Sequence, residues 1–194
     1  MGAGTITGDE SHAALTNLGG GPDFNNDGYD DLVLGDGYHD EPGAVDAGVV
    51  WVMPGSAGGP RVAQAQKWSQ QTPGIPGDVG LDDYFGYVWT TGNFNGDNYD
   101  DLAVCVLGER VAGVDGAGAV VIIFGSSGGL SQTGAKLISR NTAGVPGDPT
   151  ASERWCQYSL AAGDFDGNGR DDLVVASEED GREVAQPRFG RRSR

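Results

Sequence analysis

The chain has 194 residues, 35 of them glycine, with 38% hydrophobic and 8% aromatic content, a composition that suits short strands joined by many turns and points to an all-β fold. Its 28 acidic residues outnumber 12 basic ones, and the formal net charge of −16 argues against nucleic acid and anionic membrane as partners and for cations. The longest apolar run, Ala119 to Phe124, is far short of the roughly 20 residues of a membrane-spanning helix, so no membrane insertion is expected.

Met1-Gly2-Ala3-Gly4 has neither the basic nor the apolar region of a signal peptide. Residues 1–10 read as a linker, because Ile6-Thr7-Gly8-Asp9 is matched by Ile75-Pro76-Gly77-Asp78 and Val145-Pro146-Gly147-Asp148. Ser11 to Leu18 is the first expected strand, and Gly19-Gly20-Gly21 leads from it into an acidic loop, Asp23 to Leu32. That loop recurs as Asn93 to Leu102 and Asp164 to Leu173, at intervals of 70 and 71 residues, so one unit has been repeated.

In every copy a short side chain bearing oxygen stands at the first, third, fifth and ninth places: Asp23, Asn25, Asp27 and Asp31, then Asn93, Asn95, Asp97 and Asp101, then Asp164, Asp166, Asn168 and Asp172. These are hard donors of the kind Ca²⁺ takes. The sixth place holds Gly28, Asn98 or Gly169, residues that tolerate the positive φ of a sharp bend. An EF-hand would require Glu at the twelfth place, where Leu34, Val104 and Val175 stand instead, so this is a different loop class. Asp, Asn and Gly also make plain solvated turns, but a plain turn needs no fixed ligand spacing. Eleven of the 28 acidic residues lie in the three loops.

After the first loop, Leu32-Val33-Leu34 reads as a strand, Asp36 to Asp46 as a variable loop, Gly48 to Met53 as a third strand and Val62 to Ser69 as an outer fourth. The second unit repeats the order with Tyr84 to Thr91, Leu102 to Val106, Gly118 to Phe124 and Lys136 to Arg140. The third begins with Trp155 to Leu160 and Leu173 to Ala176. Residues 178–194 hold five of the twelve basic residues and no apolar strand, and read as a disordered tail foreign to the pattern. The expected units are therefore 1–71, 72–141 and a partial 142–177.

Three other features invite functional readings. Gly125-Ser126-Ser127-Gly128-Gly129 satisfies the Gly-x-Ser-x-Gly nucleophile elbow, yet the corresponding Gly55-Ser56-Ala57-Gly58-Gly59 has Ala at the nucleophile place, so a strand-ending turn explains both. Paired carboxylates such as Asp30-Asp31 could suggest glycoside hydrolysis, but their regular place in a repeated loop favours metal. His12 and His39 read as solvated surface residues, and Trp51, Trp68, Trp89 and Trp155 as core. Cys105 and Cys156 could pair, but two cysteines so far apart read as free buried thiols. No catalytic set is indicated, and the chain is expected not to be an enzyme.

Phe85-Gly86, the loop Asn93 to Asp101, and Asp101-Leu102-Ala103-Val104 together resemble the FG-GAP repeat of integrin α-chain β-propellers and their bacterial relatives, over nearly the whole chain to about Ser177. The resemblance implies four-stranded antiparallel blades, each calcium loop joining a blade's first and second strands. The side chains at places one, three, five and nine would be ligands, with the backbone carbonyls of Tyr29, Tyr99 and Arg170 at the seventh. It implies a calcium-binding adhesion, binding or scaffolding module at an extracellular or cell-surface location, with a protein or carbohydrate ligand or further blades as partners. Its ligand loops would be Asp36 to Asp46 and Glu109 to Gly116. The alternative is an ancillary, non-catalytic domain of a secreted hydrolase. Departures are visible: Cys156-Gln157 replaces Phe-Gly in the third unit, and the Gly-Ala-Pro half is degenerate throughout. Since a propeller needs about four blades or more, the chain reads as an incomplete β-propeller of about two and a half blades.

Overall fold

The structure, a computed structural model, describes residues 20–151 and 155–177. The expected strand Ser11 to Leu18 and the basic tail lie outside these residues. Among the described residues there are nine strands and no α-helix. They are β1 (Leu32–Asp36), β2 (Val49–Met53), β3 (Gln66–Trp68), β4 (Trp89–Gly92), β5 (Asp101–Val106), β6 (Ala119–Phe124), β7 (Ser131–Ile138), β8 (Ser159–Gly163) and β9 (Asp172–Ala176). They form three antiparallel sheets in sequence order, β1-β2-β3, β4-β5-β6-β7 and β8-β9. The second acidic loop joins β4 to β5 and the third joins β8 to β9, with registers Thr91↔Leu102 and Ala162↔Leu173.

The middle sheet explains why its inner strands read as unbroken apolar runs. Successive side chains of a strand point to opposite faces, and both faces of β5 are covered. Leu102, Val104 and Val106 join Val33, Val50, Val52, Trp68 and Phe85 in one core, whereas Ala103 and Cys105 join Leu160, Leu173, Val175 and Trp155 in another. Every residue of β5 is buried, while β1 and β9 alternate as strands with one half-covered face do. Trp68, Trp89 and Trp155 are core residues as expected, and Trp51 is half-buried.

Two first strands are shorter than the sequence suggests. Instead of Tyr84 to Thr91 the strand is only Trp89–Gly92, because Tyr84 and Gly86 have φ of 52° and 89° and the Phe85-Gly86 pair is a turn. That turn hooks onto the preceding sheet, with the amides of Tyr84 and Phe85 donating to the carbonyls of Asp46 (2.9 Å) and Ala47 (2.8 Å). Likewise the third unit's strand is Ser159–Gly163 rather than Trp155 to Leu160, with Cys156 at φ 75°. The outer strands differ too. A 3-10 turn, Val62–Gln64, precedes β3, and β7 begins at Ser131, five residues before the expected start, and ends at Ile138.

The cysteines are also corrected. Cys105 and Cys156 form a disulfide with their Cα atoms 5.8 Å apart. Distance along the chain misleads here because the repeat brings the two positions together. Cys156 stands one unit after Phe85, and Cys105 one unit after Gly35, which lies against the Gly86 carbonyl. The bridge therefore occupies, between the middle and third sheets, the place that the Phe-Gly turn occupies between the first and middle sheets.

At the end of the sheets away from the acidic loops, Glu109 and Asp83 are buried at the seam of the first and middle sheets. Glu109 accepts a hydrogen bond from Gln70 Nε2, and Asp83 from the Gly80 amide. Burial, reinforced by the neighbouring Asp83 charge, pushes the Glu109 carboxyl up to about 7, and burial pushes Asp83 up to about 6. An acid whose folded pKa is raised contributes stability that is complete below its unfolded value, near 4.5, and is lost as pH rises through about 7. In a metal-free buffer, unfolding by urea should show the protein less stable at pH 8 than at pH 5. Glu109→Gln should recover on the order of 2 kcal/mol of that difference. If the Glu109→Gln variant kept the pH slope of the wild type, Glu109 would not be titrating in this window.

Candidate metal centre

Each acidic loop is wound by its own side chains onto its own backbone. In the first, Asp23 accepts from the amides of Asp27 (3.0 Å) and Gly28 (2.8 Å), Asn25 from Asp27 (2.9 Å) and Asp27 from Tyr29 (3.1 Å). The third loop repeats this bond for bond. Asp164 accepts from Asn168 and Gly169 (both 2.9 Å), Asp166 from Asn168 (3.1 Å) and Asn168 from Arg170 (2.9 Å). Such side-chain bonds to amides two to five residues on turn the odd-numbered side chains toward one centre and leave oxygen lone pairs over for a cation.

The ninth-place aspartates stand where each loop meets the strand that follows, Asp101 and Asp172 as the first residues of β5 and β9 and Asp31 just before β1. Asp31 accepts from the amides of Phe24 (3.0 Å) and Gly55 (2.8 Å), Asp101 from Phe94 (2.9 Å) and Gly125 (2.9 Å), and Asp172 from Phe165 (3.1 Å). Asp31 and Asp101 are buried. Burial pushes the Asp101 carboxyl up to about 6 against those two bonds, and it moves Asp31 in the same direction. In both, charges in the same loop raise the pKa further, Asp97 for Asp101, and Asp23 and Asp27 for Asp31. An opposite charge nearby favours the ionised form of such a carboxylate, so a bound divalent cation would offset the effect of burial. In the third loop Asp164, Asp166 and Asp172 bring carboxylate oxygens within 4.8 Å of one another, the one set of three carboxylates so gathered among the described residues. Oxygen donors alone, several of them charged, fit Ca²⁺ or another hard cation. Tyr29, Tyr99 and Arg170 hold the seventh places in the three loops.

The second loop departs from the other two for a chemical reason. Asn93 has one acceptor oxygen and an NH₂ donor where Asp23 and Asp164 have two acceptor oxygens, and it does not take the fifth- and sixth-place amides one on each oxygen as they do. It takes the Gly96 amide (2.8 Å) instead and gives its own Nδ2 to the Asp97 carbonyl. Asn98 accordingly does not adopt the positive φ expected of the sixth place, which Gly28 (86°) and Gly169 (82°) do adopt. A bend that the sequence does not announce is common to all three loops: the fourth-place residues Asn26, Gly96 and Gly167 have φ of 54°, 76° and 73°.

The eighth-place aspartates Asp100 and Asp171 make contacts between sheets that sequence reasoning misses. Asp100 accepts from the Asp23 amide (2.8 Å) and Asp171 from the Asn93 amide (2.7 Å), each reaching the loop of the preceding sheet. The doubled Asp in each loop is the signal for them, although along the chain it reads as a single acidic cluster. The nucleophile-elbow motif, by contrast, is a turn between β6 and β7. Ser126 Oγ donates to the Gly129 carbonyl (2.7 Å), as Ser56 does to Gly59 (2.7 Å).

The sequence model of the FG-GAP repeat matches residues 14–53 and 157–185, which include the first and third loops. The chain carries FG-GAP repeats. Its all-β sheets, stacked face to face in sequence order, are those of the β-propeller the repeat builds. Over 168 residues this FG-GAP chain is 30% identical to integrin alpha pat-2 of Caenorhabditis briggsae, a match covering 82% of the chain and 13% of that protein. Integrin alpha-3 of Cricetulus griseus is 31% identical, over 81% of the chain and 13% of its own length. Phosphatidylinositol-glycan-specific phospholipase D of Bos taurus is 30% identical, over 80% of the chain and 17% of its own length. The FG-GAP chain thus spans well under a fifth of each of these relatives. Among the described residues no helix is long and apolar enough to cross a membrane.

Proposed function

We propose that this chain is a calcium-stabilised propeller segment that serves as a binding or adhesion module in an oxidising, extracellular setting. The observation that carries the calcium reading is the convergence of Asp164, Asp166 and Asp172 in a loop whose internal hydrogen bonds are duplicated in the first. Likeness to two integrin α-chains supports the binding role, and the Cys105–Cys156 bridge supports the compartment. The loops 36–46 and 109–116 follow β1 and β5 at the ends opposite the metal loops, and exposed residues on them, Val45 and Arg110 among them, are the surface this reading assigns to a protein or carbohydrate ligand. A second reading, an ancillary non-catalytic domain of a secreted hydrolase, is favoured by the likeness to the phospholipase D. A parent reading frame that encodes a catalytic domain beside these repeats would select it.

The three sites should differ in strength, since ligand charge tunes calcium affinity. Sites one and three each offer three carboxylates and one amide oxygen, whereas site two offers only Asp97 and Asp101 beside Asn93 and Asn95. Dissociation constants of roughly 10⁻⁴–10⁻³ M suit an extracellular module, with the second site weakest. Calorimetric titration should find that Asp97→Ala abolishes the second site and spares the others. Asn93→Asp, by restoring both the charge and the second acceptor, should tighten that site. Calcium binding unchanged by Asp97→Ala would reduce this loop to a solvated turn.

A further inference from the structure

We propose that the eighth-place aspartates, Asp100 and Asp171, are positioning residues that couple each cation loop to the loop of the preceding sheet. Occupancy of loop three then raises the affinity of loop two, and occupancy of loop two that of loop one. The proposal rests on the calcium reading above. Its basis is a two-point contact found at both junctions. The Asp171 carboxylate accepts from the Asn93 amide (2.7 Å), and the Asp171 amide donates back to the Asn93 carbonyl (2.9 Å). Asp100 and Asp23 exchange the same pair of bonds, at 2.8 and 3.4 Å.

The residue held in this way is the first place of the receiving loop, whose side chain starts the ligand set. The residue that holds it lies between the seventh and ninth places of its own loop. A cation bound there immobilises the residues on either side of Asp171, and so fixes the acceptor that braces Asn93. No intervening element is needed to carry the effect, because one residue belongs to both contacts. The approach is close as well: a Cβ added at Gly92, just before the second loop, would lie 2.8 Å from Asp171 Oδ2.

Arg170 supplies a second link between the same two loops. It holds the seventh place of loop three, yet its side chain lies on loop two, where a Cβ added at Gly96 would meet its Cγ and Nε at 2.8 Å. Gly96 is the left-handed bend of that loop, at φ 76°. Ordering Arg170 through loop three therefore packs the bend of loop two. The seventh-place Tyr99 makes no matching link, since it packs within its own unit against Gly125, where an added Cβ would meet Tyr99 Cβ at 2.7 Å. The turn between β6 and β7 also reaches loop one, where the Ser126 amide donates to the Phe24 carbonyl (3.1 Å). Linkage makes the coupling reciprocal, and couplings of this kind commonly change affinity by about 5- to 150-fold.

The test is a calcium titration of the whole chain followed by amide NMR, with the Gly96 and Asp97 resonances reporting loop two and the Gly167 and Asn168 resonances reporting loop three. Asp166→Ala removes a third-place ligand and empties loop three. It should weaken loop two about fivefold or more, at the lower end of common couplings. In an Asp171→Ala background the same substitution should change loop two less than about twofold, because the connection is already cut. Asp171→Asn keeps an oxygen acceptor without the charge and should restore most of the dependence on loop three. A purely structural Asp171 would weaken loop two when replaced by Ala but leave it indifferent to Asp166→Ala. That indifference in the wild-type background overturns the proposal, as does an Asp171→Asn variant that behaves like Asp171→Ala. If wild-type loop two shows no calcium-dependent shift at all, the calcium reading fails and the coupling fails with it.

Discussion

Replacing both cysteines, as Cys105→Ala with Cys156→Ala, is expected to cost about 4 kcal/mol of stability, the loop-closure entropy of a bridge with sequence separation 51. For a chain of this size that corresponds to a fall in Tm of about 10 °C. The loss has a structural side too. Between the first and middle sheets, Phe85 fills the interface with a large apolar side chain, whereas at the equivalent place the third sheet has only the sulfur bridge. Both cysteines are fully buried, so a reductant acts only through opening of the interface. Reduction should accordingly be slow in native buffer and fast near the unfolding midpoint. Urea unfolding of the double variant beside wild type, with and without reductant, checks the expectation. Coincident curves would mean that the bridge contributes nothing to holding the third sheet.

Gly48→Ala and Gly118→Ala should each destabilise the protein by about 3 kcal/mol or more, since they combine backbone strain with a collision between sheets. Gly48 has φ 83°, and an added Cβ would lie 2.3 and 2.4 Å from the Phe85 carbonyl oxygen and amide nitrogen. Gly118, one unit later, has φ 79° and would place its Cβ 2.5 Å from the Trp155 carbonyl oxygen. In both cases the obstacle is the backbone of the turn that hooks the next sheet on, and a backbone cannot swing aside as a side chain can. Gly113→Ala separates the two effects. Its φ is 88° but nothing lies within 4 Å of the added Cβ, so it should cost only about 1–2 kcal/mol for the left-handed conformation. Thermal unfolding of the three variants that ranked Gly113→Ala with the others would assign the whole cost to strain.

The repeat, the strand order and the odd-numbered loop side chains were legible in the amino-acid sequence because each depends on neighbours in the chain. Alternating Asp and Asn close turns onto amides two to five residues away, and the apolar runs at β2, β5, β6 and β9 mark strands covered on one or both faces. The sequence also determined that no helix should be prominent, through its glycine content and the shortness of its apolar runs.

What the tertiary structure decided lies largely in the contacts between sheets, where partners stand from about half a repeat to just over one repeat apart and no local pattern announces them. Tyr84 to Tyr87 carries strand-forming residues, yet bonds to Asp46 and Ala47 bend it into a turn. Cys105 and Cys156 look unrelated along the chain, yet the stacking of one repeat on the next puts them 5.8 Å apart. Asn98 is the residue type for the bend at the sixth place, but a single amide oxygen on Asn93 winds that loop differently. Asp100 and Asp171 look like two more acids in an acidic loop, and only the neighbouring sheet shows that their carboxylates are spent on its backbone. Sequence periodicity determines what each repeat is. How one repeat grips the next depends on hydrogen bonds and close approaches between residues that share no local pattern, and these exist only once the sheets are stacked.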